Sequence, residues 1–122
     1  MIIIDNMQYG VDVVNLKRKA DFLDKYAERT EDGDLKRELI GVYFNYELRF
    51  GPGVNRAEYA RLWNKLTEPV EYHQVTVPDF DGDYTFTAYF AGISDELLFK
   101  KAEQNFWKDL TVTFTAKAPA RT

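Results

Sequence analysis

The sequence predicts an α+β domain dominated by antiparallel strands, arranged as a sandwich or partly closed barrel and packed by one flanking helix. Three observations predict it. Several segments alternate apolar and polar residues with a period of two, one stretch carries an apolar stripe at helical spacing, and the chain has 122 residues, the size of a single domain. A chain of that length hides roughly two-thirds of its unfolded surface. With 45% hydrophobic and 16% aromatic residues it has the apolar surface for one core without staples.

The strand assignments follow from the alternation. In "LTVTFTAKA" Leu110, Val112, Phe114, Ala116 and Ala118 fall on one face and Thr111, Thr113, Thr115 and Lys117 on the other. In "YTFTAYF" Tyr84, Phe86, Ala88 and Phe90 alternate with Thr85, Thr87 and Tyr89, and β-branched and aromatic residues dominate both segments. "LIGVYFNYELRF" places Ile40, Val42, Phe44, Tyr46, Leu48 and Phe50 at every second position, which makes it a long strand. "YGVDVVNLKRKADF" is extended in character, and Lys17, Arg18 and Lys19 predict that its second half leaves the core. "VEYHQVTVP" reads as a strand ending at Pro78.

The helix is expected over 56–67, after "GPG". Tyr59, Leu62, Trp63 and Leu66 form its apolar stripe, Asn55 caps it, Glu58 occupies the capping-box position and Pro69 discourages continuation. Core packing explains the stripe, with a ligand box as the sharper alternative. "SDELLFKKAEQNFW" is readable either as a short helix capped by Ser94 or as an extended arm.

Two acidic groups invite a chemical reading. Asp79, Asp81 and Asp83 alternate as at the start of a calcium loop, but an EF-hand beginning at Asp79 needs Gly and Glu where Tyr84 and Phe90 stand. Asp81-Gly82 instead reads as a tight hairpin turn. "ERTEDGDLKRE" carries a second turn signal, Asp32-Gly33, and predicts a protruding hairpin or solvated loop around residues 21–38 rather than paired catalytic carboxylates.

Composition excludes several classes. Twenty acidic and sixteen basic residues, a net charge of -4, argue against direct nucleic-acid recognition. No run approaches the length of a membrane span, and "MIII" meets Asp5 before it could form a signal-peptide core, so a soluble protein retained in its cell is expected, without membrane insertion. The absence of cysteine removes disulfides and thiolate chemistry. His73 and Ser94 are the only residues of their types, so a Ser/His/Asp site would need that pair to meet. Ser94 reads more naturally as a cap and His73 as a surface or interface residue, and a histidine-rich metal site needs a symmetric assembly. "FGPGVNR" lacks the lysine and Ser/Thr of a phosphate loop. No catalytic, cofactor-binding or metal residue is therefore assigned, and no cofactor is expected.

The order of hairpin, long strand, short helix, hairpin and final strand resembles the phage tail tube and distal tail protein fold. "AEYARLWNKLTEP", "VTVPDFDGDYTFTAYF" and "WKDLTVTFTAKAPA" look like the corresponding parts of distal-tail-type domains, while "LKRKADFLDKYAERTEDGDLKRE" and "LTEPVEYHQVTVPD" look like small structural proteins of prophage tail modules in Gram-positive bacteria. The resemblance covers nearly the whole chain and carries no catalytic motif. It implies a non-enzymatic structural subunit of a tail, as tube, distal tail or baseplate adaptor, found in the virion tail and, during assembly, in the bacterial cytoplasm. Its implied partners are further copies of itself and other tail proteins. The leading contact element is the mixed-charge arm, with Asp21, Lys25, Arg29, Glu31, Asp32, Asp34, Lys36 and Arg37 as contact residues. The alternatives are a small-molecule-binding barrel with Tyr59, Trp63, Tyr84 and Phe86 lining its pocket, and a hydrolase using His73 with nearby carboxylates.

Overall fold

The alternating segments form strands, and the stripe after "GPG" forms a helix, in a computed structural model that describes residues 2–122. The elements are β1 (Ile3–Ile4), β2 (Met7–Gln8), β3 (Val13–Arg29), β4 (Leu35–Phe50), α1 (Arg56–Leu66), β5 (His73–Asp79), β6 (Gly82–Lys101) and β7 (Gln104–Ala116). All strands join one antiparallel sheet in the order β2-β1-β5-β6-β7-β4-β3.

A single sheet stands where a sandwich or partly closed barrel was expected. It is open, because its end strands β2 and β3 are not hydrogen-bonded to each other. It does curl: the Tyr46 ring of β4 lies 5.4 Å from that of Phe86 on β6 although β7 stands between those strands, and Arg18 of β3 forms an ion pair with Asp79 of β5. Inside the curl Tyr46, Leu48 and Phe50 meet Val112 and Phe114 of β7, Val75 and Val77 of β5, Ile4 of β1, and Tyr59, Leu62 and Leu66 of α1.

Two hairpins run beyond this core. β4 pairs with β7 only from Tyr46 to Arg49, opposite Phe114 to Thr111, whereas it pairs with β3 along its whole length. Since β4 and β7 are antiparallel and each begins at a hairpin turn, the β3–β4 turn and the β6–β7 turn lie at opposite ends of the sheet. The apolar positions of β4 are fully buried at Tyr46, Leu48 and Phe50, partly buried at Phe44 and Val42, and exposed at Ile40.

Several local features depart from the sequence reading. Residues 94–107 are extended: Ser94 caps nothing, its hydroxyl lies 3.0 Å from that of Thr111, and β6 continues to a turn at Ala102 and Glu103. Register shifts around Ser94 and Leu97 break the alternation there, which is why that segment does not look like a strand. The β5–β6 turn falls one residue earlier than Asp81-Gly82. Asp79 pairs with Gly82, so Phe80 and Asp81 form the loop, and Gly82 takes the positive φ of 143° on leaving it. β5 also carries Pro78 inside the strand rather than at its end, at a position that β1, paired only with Val75 and Thr76, does not reach. Asp5 and Asn6, both with positive φ, close the small β1–β2 hairpin, which the reading did not assign.

The helix begins at Asn55, whose side chain accepts from the Glu58 N–H at 3.2 Å, and ends one residue earlier than expected. Glu58 does not close a capping box. Its carboxylate turns outward to accept the Gly10 N–H at 2.9 Å and to pair with Arg61, tying the chain before β3 to the helix start.

The Tyr46 hydroxyl is buried with no hydrogen-bond partner among the described residues, and burial followed by the nearby Asp79 pushes its pKa up to about 12. An unpaired buried hydroxyl is a cost of about 1–3 kcal/mol. Tyr46→Phe is therefore expected to hold or raise the urea-unfolding free energy, by up to about 1–2 kcal/mol, whereas Leu62→Ala is expected to lose about 2–5 kcal/mol. A loss above about 1 kcal/mol for Tyr46→Phe would mean that the hydroxyl has a partner.

Candidate functional site

Three surfaces hold the residues singled out by sequence. The first surrounds His73. β5 turns His73, Val75 and Val77 inward together, so the imidazole is buried, with 4% of the residue exposed, rather than lying on the surface. It stacks on Phe90 at 4.5 Å, and its Nδ1 lies 2.6 Å from Asp5 Oδ2. Asp5 Oδ1 accepts the Gln74 N–H at 2.9 Å, and Lys65 Nζ lies 3.7 Å from Asp5 and 3.2 Å from Glu68. Asp5, Glu68 and His73 bring one ligand atom each within 4.8 Å of one another, a spacing that could hold a cation. The Lys65 ammonium already supplies positive charge to both carboxylates, so the cluster reads as an internal ionic latch joining β1, α1 and β5. Ser94 pairs with Thr111 and His73 with Asp5, so the Ser/His pair that a Ser/His/Asp site needs is not assembled, while the carboxylates of the hydrolase alternative, Asp5 and Glu68, do stand beside His73.

The second surface is a concavity of about 360 Å³ between α1 and the β6–β7 hairpin. Tyr59, Trp63 and Trp107 line it together with Arg56, Asn64, Asp95 and Asn105. Tyr59 donates its hydroxyl hydrogen to Asp95 at 3.0 Å, and burial together with that carboxylate raises the tyrosine pKa. Of the four residues expected in a pocket, Tyr59 and Trp63 are here. Tyr84 and Phe86 are not; they stack on each other at 5.1 Å and lie against Tyr46 in the curl of the sheet. Trp107 was not anticipated, because its segment had no settled conformation and the ties that bring it beside the helix are long-range: the Gly53 N–H donates to the Trp107 carbonyl at 2.9 Å and Arg56 Nε to the Asn105 carbonyl at 3.1 Å.

The third surface is the β3–β4 hairpin, whose turn runs from Thr30 to Asp34 with Gly33 at φ 90°. All eight proposed contact residues lie on it, but half are engaged within the hairpin. Asp21 accepts from Asn45 at 2.6 Å, Arg37 pairs with Asp24 at 2.5 Å and lies 5.3 Å over the Phe22 ring, Arg29 donates to the Gly33 carbonyl at 2.8 Å, and Asp32 accepts from the Thr30 hydroxyl. The Thr30 hydroxyl and backbone donors hold Asp32 below its ordinary range. The side chains of Lys25, Glu31, Asp34 and Lys36 have no partner among the described residues. The arm also has an apolar part that its charge pattern does not reveal: Phe22, Leu23, Tyr26, Leu35, Leu39 and Ile40 are all exposed.

No protein-family model, curated protein or solved structure matches the chain. The likeness to tail proteins thus rests on the layout and wording of the sequence alone. No helix among the described residues is long and apolar enough to cross a membrane.

Burial raises the pKa of Asp5, but the hydrogen bonds from His73 and Gln74 outweigh it and lower the carboxyl below its ordinary 3.8. A lowered pKa contributes stability that is present above the unfolded value and lost as pH falls through the folded one. Asp5→Asn is expected to show a smaller difference in urea stability between about pH 7 and about pH 3 than the unsubstituted protein. Identical acid losses in the two proteins would remove Asp5 from the latch.

Proposed function

We propose that this chain is a non-enzymatic structural subunit of a phage or prophage tail that acts by self-assembly and by contact with neighbouring tail proteins. The observation that carries the self-assembly part is the exposure of Phe22, Leu23, Tyr26, Leu35, Leu39 and Ile40 on one projecting hairpin. A two-stranded ribbon has no layer of its own to cover such residues, and apolar patches on projecting elements mark contact sites. Leu97, Leu98, Phe99 and Trp107 repeat the pattern on the hairpin at the opposite end. Head-to-tail assembly joins two different surfaces, and two arms at opposite ends supply them. The assignment to a tail adds the resemblance in element order and wording, and with it a place in the virion tail after assembly in the bacterial cytoplasm.

One observation favours a second reading. Both tryptophans of the chain line the α1 concavity, with Asn64, Asp95 and Asn105 beside them, as a small-ligand site requires. A ligand screen followed by tryptophan fluorescence tests it, and binding abolished by Trp107→Ala would promote this reading over assembly.

The arm is testable directly. Replacing Lys25–Glu38 by Asn-Gly joins the paired positions Asp24 and Leu39 through a two-residue turn. The variant is expected to keep its circular dichroism and cooperative unfolding and to assemble less than the full chain in negative-stain images. Unchanged assembly of the folded variant would defeat the tip of the arm as the contact.

A further inference from the structure

β3 is an edge strand of seventeen residues, and its outer backbone groups have no strand beside them. A long edge of this kind is a template for another chain, and charged side chains decide which chain it accepts. The part of β3 with regular pairing to β4 runs from Asn15 to Leu23, bounded by register shifts on either side. Its charges are not mixed at random. Lys17, Arg18 and Lys19 precede Ala20, and Asp21 follows it, so the sign changes at Ala20.

From this pattern we infer that β3 pairs antiparallel with β3 of a second copy of this chain, about a two-fold axis at Ala20. The inference rests on the self-association half of the reading above and not on the tail assignment. In this register Lys19 stands opposite the second copy's Asp21 twice over, Arg18 faces Phe22, and Ala20 faces itself. Cross-strand opposite charges are favourable and like charges are not. The adjacent registers that keep every side chain on its face are worse: one centres Lys19 on Lys19, the other Asp21 on Asp21. Within one chain Lys19 Nζ lies 3.5 Å from Asp21 Oδ1, with the two side chains 57% and 41% exposed, so that contact costs little to exchange, while Asp21 keeps its bond from Asn45 through Oδ2. Phe22, 59% exposed, and Phe80, 86% exposed beside Arg18 and Ala20, lie where a second copy would cover them. The resulting dimer continues the sheet across the axis and leaves the β6–β7 arm for a different neighbour, so the dimer becomes the unit that assembles.

The chain has no cysteine, which makes the register readable by a single one. Residues directly opposite in an antiparallel pair have Cα atoms about 4.5–5.5 Å apart, inside the range a disulfide spans. Ala20→Cys is therefore expected to give a disulfide-linked dimer on mild oxidation, while Lys17→Cys, about 20 Å from its own symmetry mate at strand spacing, stays unlinked. Independently, Lys19→Asp is expected to weaken the dimer about tenfold or more in sedimentation, and Lys19→Asp combined with Asp21→Lys to restore it. A folded protein that associates but links at Lys17, or at neither position, overturns β3 pairing and leaves self-assembly standing. A monomer at every concentration overturns both, and failure of the double swap to restore association overturns the register.

Discussion

The whole molecule hangs on four paired positions. Tyr46 to Arg49 of β4 face Phe114 to Thr111 of β7, and this short ladder, extended by the bridge from Val42 to Arg121, is the backbone join between the β3–β4 hairpin and the rest of the molecule. It holds because the inward residues of both strands, Tyr46, Leu48, Val112 and Phe114, are almost wholly removed from water and lie under the helix and the curled β5–β6 strands. Burial of each such side chain is worth about 1.5–3 kcal/mol, so a few residues anchor strands that are otherwise exposed. Weakening this seam would detach the β3–β4 hairpin along with its edge.

The position of that seam explains the distribution of apolar surface. A strand of sixteen residues that spends four on β7 and one, Val42, on Arg121 leaves the rest either paired to its own hairpin partner or facing solvent. The core is compact and centred where β4, β7 and α1 meet, and the arms begin where the core ends. The ionic latch of Asp5, Lys65, Glu68 and His73 belongs to the same economy of space: it fastens the small β1–β2 hairpin to the helix and β5 on the far side from the β3 edge. Its chemistry is that of attachment, with each carboxylate already facing a cation or donor.

Much of this was legible in the sequence because strict alternation survives wherever one face is buried. The even positions of β4 and β7 announced both strand and core, and Asn55 with its apolar stripe announced the helix within a residue. Legibility failed where local pattern and long-range contact part company. Residues 94–107 alternate irregularly because bulges interrupt the ladder, and the paired rings of Phe99 and Phe106 restore it only in space. His73 looks polar and local, yet it is buried and its imidazole meets Asp5, which is distant in sequence and arrives in the β1–β2 turn. Trp107 joins Tyr59 and Trp63 through long-range ties, the Gly53 bond to its carbonyl and the Arg56 bond to that of Asn105. The charges of the arm drew the eye, while its exposed Phe22, Leu39 and Ile40 were counted as ordinary strand positions, although the alternation of β4 runs on past the point where the core stops. The closure of the sheet was illegible for another reason: alternation fixes which face is apolar, not whether the end strands meet.

The central claim is that this fold, with its long free edge and uncovered arms, is one piece of an assembly. Multi-angle light scattering on the eluting protein, over a wide range of loading concentrations, tests it most directly. The account predicts a mass at a discrete multiple of the 14.2 kDa chain, falling toward the monomer only on dilution. A mass of one chain at every concentration would contradict it.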